Sequence, residues 1–371
     1  MPLFLTDDQQ MLRDSAREFM ASEGAIATQL RKYRDMNCKD GFGHALWKQF
    51  AEMGFTGILI DEADGGLGLG HVEAGIVLEE VGRNLTPSPF LATAVATVTA
   101  LRGTAHAARW FPGILAGETV AALAIDESAK HRPETIAMRA ERSGNGFRLT
   151  GDKQFVVQGA SADLILAAAR TDEGLTLFAV EKGAAGLETE GVRLADSSIG
   201  ARLRFEGVEV DADAVVGEVG GGEAVLARAL GAARAGASSE LVGVAAGAME
   251  RTVDYLRQRK QFGRLIGEFQ VLQHRAAHLY SELEIARAAA LKAQQLLDEG
   301  SAEADLMVSV AKAKAGRVST LAVQEGVQMH GGIGMTDEYD IGLYMKRDRV
   351  LNELFGDANY HADRAARLLG Y

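Results

Sequence analysis

The amino-acid sequence predicts an α+β protein built in three segments: N-terminal helices, a central small β-barrel or sandwich domain, and a C-terminal four-helix bundle. Three observations carry this. Apolar residues recur at helical spacing at the start of the chain. Strand-length apolar runs punctuated by glycine turns occupy its middle. Beyond the glycine-rich stretch Gly217 to Gly222 the period returns to helical, with no proline after Pro133 to interrupt it. The expected domains are 1–118, 119–220 and 221–371.

In the first segment Thr6 is a good N-cap, and Asp7, Asp8 and Gln9 follow it where acidic and capping-box residues suit a helix start. Leu12, Ala16 and Phe19 then repeat at helical spacing, and further helices are expected over Ala45–Met53 and His71–Val81. In the middle, Leu149-Thr150-Gly151-Asp152 reads as a strand entering a turn, with Phe155-Val156-Val157 after it. Leu164–Leu166 and Leu175–Val180 have strand length, and Arg202–Glu206 alternates as a half-buried strand should. Gly144-Asn145-Gly146 supplies a turn. In the last segment Leu272, Ala276, Leu279, Leu283, Ala286 and Ala290 form one apolar stripe, with long helices before and after it.

Composition narrows the function. The 371 residues are 47% hydrophobic and 24% charged, ordinary for a globular chain, and longer than one core usually supports. A net charge of −12 with no basic run disfavours nucleic acid and anionic membranes as partners. The single cysteine, Cys38, cannot form an internal disulfide and has no nucleophile context. The N-terminus lacks a signal-peptide pattern, and no apolar run reaches the roughly 18 residues of a membrane helix, so a cytoplasmic protein is expected.

The eight histidines form no metal-ligand cluster, and no G-x-S-x-G elbow occurs. Gly65-Gly66-Leu67-Gly68-Leu69-Gly70 after the strand-like Gly57–Ile60 imitates a dinucleotide turn. It fails at His71, where G-x-G-x-x-G needs glycine, and Asp61, Glu62 and Asp64 would face the phosphates, so an ordinary loop is expected. Arg257, Arg259, Lys260 and Arg264 crowd a helix end, either as solvated dipole-compensating cations or as an anion site. Gln328-Met329-His330-Gly331-Gly332-Ile333-Gly334 reads either as a glycine C-cap or as backbone bared for a ligand.

The blocks Arg259–His274 (RKQFGRLIGEFQVLQH) and Val327–Gly334 (VQMHGGIG), followed by Lys346-Arg347-Asp348, resemble the acyl-CoA dehydrogenase family. Gly65–Gly68 and Leu149–Lys153 fit the same resemblance, which spans essentially the whole chain. It implies FAD held between subunits, an acyl-CoA substrate, and an electron-transfer flavoprotein or similar acceptor. Carried over by residue, Arg259 would approach the pyrophosphate of the neighbouring subunit's FAD; Gln261, Phe262, Gln328, Gly331 and Gly332 would contact the same cofactor. The family removes an α-proton with a carboxylate while the β-hydrogen leaves as hydride.

This sequence departs from that pattern where the base belongs. Gapless matching after Arg347-Asp348 places Gly356 at the family's commonest base position, and the alternative position matches Ala233, beside Arg234. No catalytic residue is therefore assigned. The flavin-facing stretches also differ: Ala124–Lys130 replaces T-E-P-x-A-G-S-D, and Val157 stands where the family's W-x-T has a hydroxyl. The expectation is a partner subunit that completes the FAD site of a Glu-bearing homologous chain, as a heterodimer or heterotetramer. The alternatives are a self-sufficient enzyme or homo-oligomer with a displaced base (Asp357, more weakly Glu353 or Glu240), and a flavin monooxygenase or oxidase on the same fold.

Overall fold

The computed structural model describes residues 3–371. Helices α1 (Asp7–Ser22), α2 (Lys32–Asp35), α3 (His44–Glu52), α4 (His71–Asn84), α5 (Val98–Leu101) and α6 (Ala107–Leu115) come first. Strands β1 (Ala121–Ala124), β2 (Arg139–Ser143), β3 (Gly146–Val157), β4 (Leu164–Thr171), β5 (Gly174–Glu181), β6 (Leu187–Arg193), β7 (Ile199–Val210) and β8 (Val215–Val216) follow. Then come α7 (Gly222–Gln258), the hairpin β9 (Lys260–Gln261) and β10 (Arg264–Leu265), α8 (Gln270–Asp298), α9 (Ala304–His330), α10 (Ile341–Glu353) and α11 (Ala358–Leu368). The order is that of the expected α+β architecture.

Two compact units cut across this order. One takes in the chain through Arg31, His71–Thr86 and Arg234–Tyr371; the other Lys32–Gly70 and Pro87–Ala233. In the helical unit, α1 starts as expected. Thr6 Oγ1 accepts from Gln9 N at 3.3 Å and Gln9 Oε1 accepts from Thr6 N at 3.0 Å, a complete capping box. Glycines let α4 and α7 meet at their backbones: a Cβ at Gly243 would lie 2.8 Å from the Glu79 carbonyl carbon, and one at Gly82 3.0 Å from Val244 N. Three long helices and two shorter ones make the C-terminal bundle.

The sheet-bearing unit holds one eight-stranded mixed sheet in the order β6-β7-β3-β2-β4-β5-β8, with β1 parallel to β4. Strands β3 and β5 are separated by two others, yet the rings of Phe147 and Phe178 lie 5.1 Å apart. Strands three places apart in a flat sheet would be about 14 Å apart, so the sheet curls around its own core of Leu149, Ile165, Phe178, Leu203 and Phe205.

Two local expectations need correction. The strand read into Gly57–Ile60 is a 3₁₀ turn at Phe55–Gly57 continuing as a bend. Leu67, Gly68 and Leu69 donate their N–H groups to the carbonyls of Gly57, Ile60 and Ile58, so the glycine loop folds back on these residues. A Cβ at Gly66 would sit 2.5 Å from the Ile60 carbonyl carbon, which is why glycine stands there. The turn expected at Gly151-Asp152 is absent as well: β3 runs on to Val157. Two register shifts, with positive φ at Gly151 (148°) and Phe155 (54°), absorb the irregularity as bulges.

Candidate functional site

The six residues matched to cofactor contacts are all exposed and lie at one end of the helical unit. Just past α7, Gln261 pairs with Arg264 across a two-residue loop, Phe262-Gly263, whose φ values of 53° and 79° suit a type I′ turn. Phe262 sits at the tip with 89% of its surface exposed. The hairpin is anchored at its base, where Ile266 N donates to Arg259 O at 2.9 Å. Leu256 and Ile266 pack with Met329 from the end of α9, which brings the two sequence blocks together. Arg264 lies 4.1 Å over the Phe269 ring. Arg257, Arg259 and Lys260 make no ion pair among the described residues, so their charge is available to an incoming anion.

The second block combines a fastener with a bare edge. His330 is buried, its Nδ1 donates to Gly326 O at 2.7 Å, and its ring stacks on Tyr255 at 4.5 Å. Burial holds its pKa below the usual histidine value. This histidine ties the end of α9 to α7, a role the sequence did not distinguish from its glycine neighbours. Gly331 caps α9 at φ 67°, ψ −143°, a conformation that glycine alone adopts readily. A Cβ at Gly331 or Gly332 would meet nothing within 4 Å. Packing within the chain therefore does not require glycine at 332, whereas at Gly334 a Cβ would lie 2.9 Å from Val327 O. Gln328 points outward on the last turn of α9.

Neither base position holds an ionisable group. Ala233 is buried in α7. Gly356 has φ 105° in the turn between α10 and α11. The displaced candidates have other partners. The Asp357 carboxylate accepts from Asn359 N at 3.0 Å and Tyr360 N at 2.8 Å as the N-cap of α11. Glu240, buried, is gripped by Arg347. Glu353 lies 4.0 Å from Arg349. Behind the turn, fully buried Lys312 donates to the carbonyls of Leu351, Asn352 and Gly356. Burial, with the nearby charge of Arg234, pushes its pKa down to about 7.

In the sheet-bearing unit the Ala124–Lys130 stretch is tied to its own fold. Lys153 is buried and donates to Ile125 O at 3.0 Å and Glu127 Oε1 at 2.8 Å. Glu127 also accepts from Ala137 N and Met138 N, and Asp126 from His131 Nδ1 and Arg132 N. Burial would raise the Glu127 pKa, but Lys153 and the two N–H groups outweigh it and hold it below the usual value. Both carboxylates are engaged by groups of the same unit outside the loop, and Val157 offers no hydroxyl.

The remaining motifs behave as ordinary structure. The amide groups that open α4, at His71 and Val72, donate to the Asp298 carboxylate at 2.7 and 3.2 Å, so the helix start after the glycine loop already has its anion. Among the described residues no His, Cys, Asp or Glu group is arranged to hold a metal ion, and no helix is long and apolar enough to cross a membrane. A cavity of ≈ 860 Å³ opens among α1, α4, α7 and α8. Its buried Glu80 is bridged by Arg17 and Arg83, and Glu79 by Arg83 and Arg287.

Residues 6–118 match the family profile described as acyl-CoA dehydrogenase, N-terminal domain; residues 220–370 match acyl-CoA dehydrogenase, C-terminal domain. The chain belongs to the acyl-CoA dehydrogenase family. This acyl-CoA dehydrogenase chain is 30% identical to a mitochondrial isovaleryl-CoA dehydrogenase of Solanum tuberosum, over 95% of its own length and 88% of the relative's. It is 30% identical to a cyclohex-1-ene-1-carbonyl-CoA dehydrogenase of Geobacter metallireducens, over 96% of each. Among solved structures, the ChsE4-ChsE5 complex from Mycobacterium tuberculosis superposes with a TM-score of 0.90 at 25% identity, covering 100% of this chain and 99% of that one. The acyl-CoA dehydrogenase fold thus extends over the full chain, including the segments in which the base and flavin-facing motifs depart.

Proposed function

We propose that this chain is the base-less subunit of a hetero-oligomeric acyl-CoA dehydrogenase and completes the FAD site of a homologous, Glu-bearing partner. The observation that carries this is an asymmetry. The exposed arm has cations without ion pairs and bare glycine backbone, while Gly356 and Ala233 supply no carboxylate. FAD is the cofactor of this reading and would supply the hydride acceptor when bound. The arm suits it: Arg259 would neutralise a phosphate, Gln261 and Gln328 offer amide donors, Phe262 an apolar ring, and Gly331-Gly332 a close approach. The Ala124–Lys130 loop suits it less well, because its carboxylates add negative charge and are already engaged by His131 and Lys153.

In this scheme the partner's carboxylate takes the α-proton, and this chain's residues bind and orient. An Asp357-based enzyme would have to give up the α11 cap to free its carboxylate. The substrate class is a branched or ring-containing acyl-CoA thioester, the class for which the two relatives are named, and the acceptor in this reading is an electron-transfer flavoprotein or a similar carrier. The test is to purify the chain alone and together with a Glu-bearing homologue encoded beside it. Flavin absorbance per chain and bleaching by acyl-CoA are then read for each. A colourless, inactive chain and a yellow pair that bleaches support the proposal. A lone chain that holds about one flavin and is reduced by an acyl-CoA overturns it.

A further inference from the structure

We infer that Tyr360 fills the space that a side chain at position 356 would need. Position 356 is then barred by packing, and not merely by a missing side chain, from carrying a base. This rests on the reading above, in which position 356 is the vacant base position.

The turn that holds Gly356 is fastened from several sides. Phe355 has φ 58° and Gly356 φ 105°, and the carbonyl of Phe355 accepts from Arg234 Nε at 3.2 Å and His361 Nε2 at 3.0 Å. The carbonyl of Gly356 accepts from Lys312 Nζ at 3.0 Å, and Asp357 caps the next helix. With its carbonyls held from α7, α9 and α11, the turn cannot swing to re-aim position 356. The direction a side chain would take there is therefore set, and it leads into Tyr360. A Cβ would lie 2.9 Å from Tyr360 Cε1, closer still to Cδ1, and 3.0 Å from His361 Nε2.

The ring is itself held. Its hydroxyl accepts from Arg234 Nη2 at 3.3 Å, the guanidinium lies 5.6 Å over the ring, and His361 meets it edge-on at 5.1 Å. Arg234 is 4% exposed and serves both the turn and the phenol, so it clamps ring and backbone in one arrangement. A glutamate introduced at 356 would have to displace a ring that the same clamp retains. A non-glycine residue would also be strained at φ 105°.

The test is a set of thermal-unfolding measurements on the full chain. Gly356→Ala and Gly356→Glu are made in three backgrounds: wild type, Tyr360→Phe, which keeps the ring, and Tyr360→Ala, which removes it. The expected result is a drop in Tm of several degrees for either substitution in the first two backgrounds and a clearly smaller drop in the third. Equal drops in all three backgrounds overturn the inference, as does a Gly356→Ala chain as stable as wild type. If Gly356→Glu yields no folded chain, the Gly356→Ala series decides alone. Acyl-CoA-dependent flavin bleaching by Gly356→Glu/Tyr360→Ala, with the partner's own glutamate removed, is scored separately. No bleaching beside a clear Tm coupling would sink the reading of 356 as the base position and leave the filled space standing.

Discussion

The ammonium of Lys312 lies 3.0 Å from the carbonyl oxygen of Gly356, and the lysine side chain is entirely buried. The same nitrogen reaches the carbonyls of Leu351 and Asn352 at the end of α10, where a helix leaves acceptors unpaired and where a cation suits its dipole. Its pKa of about 7 in the fold lies below its ordinary value of 10.5. The unfolded chain therefore binds more protons between those values, and stability rises with pH across that window. Lys312→Met removes this dependence. The Tm of wild type minus that of the variant should rise from pH 7 to pH 9.5 and level off below pH 7. A gap constant with pH would show that Lys312 does not titrate in this way.

The Lys153–Glu127 pair should show the same sense of pH dependence, but in the acid range. Glu127→Gln leaves a buried ammonium without its carboxylate, and such a change costs about 3 kcal/mol or more. Because the Glu127 pKa is lowered in the fold, its contribution is present above the ordinary glutamate value and is lost as pH falls through the folded value. Urea unfolding should therefore separate wild type from variant at pH 7 and bring them together in acid. Equal midpoints at pH 7 would argue that the pair contributes little.

Close approach of α4 and α7 at Gly243 gives a third expectation. Alanine raises helix propensity by about 1 kcal/mol over glycine, but here its Cβ would press on the Glu79 carbonyl. We expect Gly243→Ala to destabilise the chain by about 1–3 kcal/mol, with the clash exceeding the propensity gain. Denaturant titration that found the variant more stable would show that the helices can part at little cost.

Arg259→Ala and Phe262→Ala should leave the free energy of unfolding within about 0.5 kcal/mol of wild type, because both side chains are exposed. In the assembled complex the same substitutions should lower flavin content, read as visible absorbance per chain. Unchanged flavin content with both variants would remove the arm from the cofactor site.

Periodicity and composition were sufficient for the order of elements and for individual starts such as the Thr6 capping box, because these depend on residues within a few positions of one another. The candidate cofactor-contact residues were proposed from the motifs Arg259–His274 and Val327–Gly334, and the absence of a carboxylate at 356 from a fixed distance after Arg347-Asp348. Other features lay beyond such reading. Lys153 and Lys312 look like surface lysines in the sequence, yet each is buried and paired with groups 26 to 44 residues away. The filling of position 356 by Tyr360 depends on where Arg234, 126 residues away in the chain, places its guanidinium. Local pattern reports which residues can begin a helix or bare a backbone. Which side chain occupies a given volume is decided by contacts between distant segments, and only the folded chain brings those together.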